Sequence, residues 1–132
     1  MKLIDTNVII RFLVKDDSKA FEKAKKLFRA VDSGKEKIEI KVPVLLECVF
    51  VLQSYYKLPR DEISDILSTL LRSPGVYMRG KRILLYALEL YKNTNFHMVD
   101  CYLAAELTLG NIKEIYSFDK DFDKLGVKRI TP

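Results

Sequence analysis

The chain is nearly devoid of the residues that build soft-metal sites. Its 132 residues include two cysteines and one histidine, with no CxxC pair. That set cannot supply the Cys/His tetrahedron of a zinc site, so any bound metal must be held by oxygen. Tryptophan is absent, and five glycines and four prolines fall at plausible element ends rather than in a run. No linker, repeat or low-complexity tract therefore divides the chain. No apolar run approaches the roughly 20 residues needed to span a bilayer, and Met1-Lys2-Leu3-Ile4-Asp5 lacks the apolar stretch of a signal peptide. The expectation is one domain over residues 1–132, cytoplasmic and without membrane association, with Cys48 and Cys101 as unpaired core thiols.

What is present describes an ordinary folded protein. Hydrophobic residues make up 48% and charged residues 31% of the chain, unlike the profile of a disordered one. A net charge of +5 and a pI near 9.1 suit a polyanionic partner without selecting one. Lys2-Leu3-Ile4 reads as a short strand stopping at Asp5-Thr6-Asn7, and Val8 to Val14 is an apolar run that periodicity leaves open between helix and strand. Residues 19–31 carry apolar side chains at spacings of 3 and 4, with Ser18 as N-cap and Gly34 beyond the end. Ile38 to Val42 alternates like a half-buried strand, and Pro43 suits the first turn of a helix running to about Tyr56. Asp61 is placed to cap a helix striped by Ile63, Ile66, Leu67, Leu70 and Leu71. Val76 to Met78 suggests a strand, Ile83 to Tyr91 and Val99 to Leu109 two helices, the second closed by Gly110. Glu114 to Phe118 and Val127 to Ile130 read as strands flanking an acidic loop over 119–123. Strands alternating with helices predict an α/β fold, a three-layer α/β/α sandwich on a central parallel sheet.

Ligands of open parallel sheets sit at the carboxyl ends of the strands. Asp5 and Asp119 follow two of the predicted strands, while Glu47 and Asp100 fall in early helical turns that could face the same crevice. Four converging carboxylates repel one another, on the order of 4 kcal/mol per pair at about 4 Å and an effective dielectric of 20. Such a cluster calls for protons or for a hard cation with waters left for phosphodiester hydrolysis. Each acid also has a plainer reading. Asp5 could cap the next helix, Asp100 could answer the helix dipole, and Asp119 and Asp121 could be turn residues. Glu47 is harder to explain away, since apolar neighbours flank it and a buried carboxylate needs a partner or a metal.

Leu3-Ile4-Asp5-Thr6-Asn7-Val8, Glu47 in its apolar helix, Val99-Asp100 with Leu103-Ala104-Ala105, and Ser117-Phe118-Asp119-Lys120-Asp121-Phe122 resemble the successive motifs of the PIN-domain family, in order and over almost the whole chain. Within that family the chain is most similar to the VapC-like toxins of bacterial and archaeal toxin–antitoxin pairs. The resemblance implies that Asp5, Glu47, Asp100 and Asp119 bind Mg²⁺ or Mn²⁺ and activate water, with Thr6, Asn7 and Ser117 as supporting residues. Asp121 remains an alternative to Asp119. It further implies that Val8 to Val14 is helical, that RNA is the substrate, and that a cognate antitoxin and a second copy of the chain are partners.

Other residues favour plainer roles. His97, between Phe96 and Met98, reads as a cap or packed residue rather than a base. Cys48 and Cys101 each follow a site acid and so point about 100° away from it on a helix. Lys23, Lys25, Lys26 and Arg29 make a solvated face, whereas Arg79-Gly80-Lys81-Arg82 could equally track phosphates. Tyr55, Tyr56, Tyr86 and Tyr91 could stack on bases, though helical spacing favours core or interface. Competing functions are a housekeeping RNA-processing nuclease without antitoxin, a non-catalytic nucleic-acid-binding module, and a phospho-acceptor domain. The last would want an acid two residues after Asp5, where Asn7 stands.

Overall fold

Lys2–Leu3 (β1), Ile38–Glu39 (β2) and Val76–Tyr77 (β3) run parallel in that spatial order in the computed structural model, which describes residues 1–132. The chain divides into two units, Met1–Lys81 and Arg82–Pro132, and this sheet belongs to the first. Parallel neighbours need long crossovers, and here each is a pair of helices. Thr6–Val14 (α1) and Ser18–Asp32 (α2) join β1 to β2, and Val42–Ser54 (α3) and Arg60–Leu71 (α4) join β2 to β3. Two-residue strands leave few ladder bonds, so packing carries the unit. Phe12 of α1 stacks on Phe28 of α2 at 4.4 Å between ring centroids. Ile9, Val31, Leu45, Leu52, Ile63, Leu67 and Leu71 are fully buried.

Several boundaries differ from the sequence reading. Residues 8–14 are helical, as the family resemblance implied. The cap of α2 is Asp17, whose carboxylate accepts the Ala20 N–H at 3.0 Å, and Ser18 is already inside the helix. The third helix starts at Val42, because Pro43 fixes a helical first turn, and this cuts β2 to two residues. Asp61 does not cap α4: Pro59 holds the N-cap position and Asp61 lies in the first turn. At Gly75 a Cβ would collide with the carbonyl oxygens of Val31 and Glu36. The Gly75 N–H donates to Val31 O at 2.9 Å and its carbonyl accepts the Ile38 N–H, tying the end of α2 to the sheet.

In the second unit, α5 (Lys81–Asn93, beginning at the boundary residue) buries Leu84, Ala87, Leu88 and Tyr91, spaced by 3 and 4. The next helix, α6 (Met98–Leu109), ends where the Gly110 N–H donates to Glu106 O. Glu114–Tyr116 (β4) and Lys128–Ile130 (β5) pair in parallel as a two-stranded sheet. Parallel pairing is thus as expected, spread over sheets of three and two strands. The acidic loop expected at 119–123 contains a one-turn helix, α7 (Asp121–Lys124). It is pinned by buried Phe122 and by a two-pronged bond from Arg129 to Asp123 at 3.1 and 3.2 Å.

Candidate active site

Asp5 stands where β1 hands over to α1, at the N-cap position with extended backbone (φ −92°, ψ 152°). The capping reading predicts a bond from its carboxylate to the first turn of α1. No such bond forms, and only the Asp5 carbonyl takes part in starting the helix. The carboxylate instead lines a cavity of about 370 Å³ together with Thr6, Asn7 and Glu47. Glu47 lies in the second turn of α3, as expected. It is exposed, however, so it carries no burial penalty and needs no partner on that ground. Its apolar surroundings in sequence do not enclose it, and Phe50, one turn on, is itself 66% exposed.

Both charges are felt by Cys48. This thiol is pushed up to about 12, first by burial and then by the negative charges of Glu47 and Asp5. It stays protonated at neutral pH and offers no thiolate. Cys101 is likewise buried and forms no disulfide, its Sγ donating to Phe96 O at 3.8 Å, so both cysteines are core thiols as expected.

The second unit gathers its own acids. Asp100 is in the first turn of α6, where the helix dipole should favour its ionised form. Its carboxyl is nevertheless raised above the ordinary value, first by burial and then by the Asp119 charge, with a smaller push from Asp121 and an opposing pull from His97. Asp119 acts on Asp100 more strongly than Asp121 does. Asp119 is partly a turn residue, since its Oδ1 accepts the Asp121 N–H at 2.9 Å. Its own N–H donates to the Ser117 hydroxyl at 2.9 Å. Asp121 faces Lys124 at 3.5 Å. His97 occupies the N-cap position of α6, is exposed, and makes no cap bond.

The structure thus brings Asp5 and Glu47 to one cavity and sets Asp100 and Asp119 within each other's field. No three carboxylate, thiol or imidazole groups stand close enough to enclose an ion by themselves. The donors are oxygens, and Mg²⁺ uses only one or two carboxylates while waters and phosphate fill the remaining positions. The residues present fit such an ion. Sequence reading missed Arg11 and Asp16, which also line the Asp5–Glu47 cavity, as do Tyr55 and Tyr56, named there only as stacking or packing candidates. The Arg11 Nη1 donates to Asp16 Oδ1 at 3.1 Å and the Tyr56 hydroxyl to Asp16 Oδ2 at 2.8 Å. Tyr56 first and Arg11 second hold the Asp16 carboxyl below its usual range. A larger cavity in the same unit, about 550 Å³, is lined by Phe12, Phe28, Ile66 and Leu70 and contains none of the predicted acids.

The fold and these acids define a PIN-domain protein. The family model for the PIN domain matches residues 2–128, and the chain belongs to that family. It is similar, at 30% identity over 132 residues, to the VapC ribonuclease of Aquifex aeolicus (strain VF5), with all of this chain and 97% of the relative covered.

Proposed function

We propose that this protein is a metal-dependent endoribonuclease, the toxin of a toxin–antitoxin pair. The observation that carries the reading is Asp5: a carboxylate at a helix N-cap that forgoes its capping bond and faces a cavity shared with Glu47. The family match spans residues of both units, which supports treating 1–132 as one nuclease domain. Similarity to a VapC ribonuclease supports RNA as substrate. A cognate antitoxin protein, a homodimeric state and a cytoplasmic setting rest on that similarity. No helix is long and apolar enough to cross a membrane.

Asp5, Glu47, Asp100 and Asp119 would hold Mg²⁺ or Mn²⁺, which when bound supplies a water acidic enough to attack phosphorus at neutral pH and offsets charge on the phosphate. Asp100 sits beside Asp119 in the partly buried first turn of α6, placed to share such an ion with it. Ser117 fixes the backbone of Asp119, and Thr6 and Asn7 shape the wall around Asp5.

The test is incubation of the purified protein with structured RNA in Mg²⁺ or Mn²⁺ and in excess EDTA. Metal-dependent internal cleavage, abolished by EDTA and by Asp5→Asn, is expected. RNA binding without cleavage in any metal would leave the non-catalytic binding module in its place.

A further inference from the structure

Tyr55 is 75% exposed at the end of α3, beside the cavity that holds Asp5 and Glu47. An exposed ring alone would mean little, but this one has an anchored neighbour. Tyr56 meets it edge-on, 4.8 Å between centroids and 76° between planes, and Tyr56 is itself tethered to Asp16 through its hydroxyl. Arg11 is anchored on the other oxygen of Asp16. A guanidinium carries five N–H donors, so one bond to Asp16 leaves most of them for another ligand. Asp16 thereby positions an aromatic face and a cation at the same cavity as the two acids.

We propose that Tyr55 and Arg11 form a nucleotide subsite for unpaired RNA next to the scissile phosphate, Tyr55 stacking on a base and Arg11 pairing with a backbone phosphate. This rests on the nuclease reading and adds to it two residues that would contact the RNA. A base reaches the ring only when it is unstacked from its neighbours, so the subsite takes single strands and loops rather than duplex. Stacking tolerates any base. A cation is the expected neighbour of a phosphate that flanks the acids.

The probe is a fluorescein-labelled hexa-adenylate, titrated by anisotropy in Ca²⁺, with cleavage of the same oligomer followed in Mn²⁺. Tyr55→Ala should weaken binding roughly tenfold and Tyr55→Phe should restore it, because the ring and not the hydroxyl makes the stack. Arg11→Gln should weaken binding and flatten the dependence of log K on log salt by about one unit. A duplex of equal length should not sense Tyr55→Ala. Parent-like binding by both Tyr55→Ala and Arg11→Gln, in a protein that still cleaves, would overturn the subsite alone. Tyr55→Ala that dissociates a dimer while RNA affinity is unchanged overturns it in favour of a protein interface. A parent protein that neither binds nor cleaves RNA removes the nuclease reading and the subsite with it.

Discussion

Asp100 carries a linkage consequence that can be read without substrate. Its folded-state carboxyl is raised by burial and by Asp119, so the folded chain holds that proton more tightly than the unfolded one. The resulting stability is fully present below the unfolded carboxyl value, near 3.9, and is lost as pH rises through the folded one. At neutral pH in EDTA the ionised group therefore works against the fold. Asp100→Asn should raise the melting midpoint there by about 1–2 °C, and the gain should vanish toward pH 4, as scanning calorimetry at the two pH values can show. Cleavage should fall by at least about two orders of magnitude. A lower midpoint at pH 7 would contradict the burial argument. The acids themselves were legible in the sequence because strand ends and first helical turns are local features. The exposure of Glu47 was not, since α3 is apolar on nearly every side and composition does not say which side faces solvent. Nor was the Asp16–Tyr56 bond, which joins residues 40 apart in the chain.

At the scale of elements, helices were readable and their edges were not. The stripe at residues 19–31 announced α2, yet two adjacent residues could cap it, and only the bond from Ala20 to Asp17 decides. Asp17→Ala should cost about 1 kcal/mol, and Ser18→Ala close to nothing. Urea denaturation of the two variants is the check, and equal losses would return the cap to Ser18. The single turn α7 escaped because four residues give no periodicity, and the acids around it read as turn formers. Family resemblance settled Val8 to Val14, where the apolar run alone could not.

For the molecule as a whole, a divalent ion that binds only the folded state stabilises it by RT ln(1 + [L]/Kd), about 2.7 kcal/mol at 100 times Kd. That should raise the melting midpoint by roughly 10 °C, graded with concentration and reduced in Asp5→Asn and Asp100→Asn. Asp65→Asn, on the exposed side of α4, should retain the full shift. Calcium should stabilise while supporting little cleavage, because its looser geometry fits an oxygen site without ordering the attack. Superimposed melting curves with and without Mn²⁺, with RNA also present, would remove the metal site.

Gly75 sits outside all of this chemistry, yet no other residue fits its place. Its backbone angle is one that any residue adopts, so the constraint is space: the carbonyls closing α2 leave no volume for even a methyl group. In a genetic selection for loss of the proposed nuclease activity, substitutions at this position would be recovered alongside those at Asp5 or Asp100 and would look equally essential. Genetic indispensability alone therefore does not mark out the proposed catalytic acids in this chain, and abundance of the folded product is what separates the two classes of mutant.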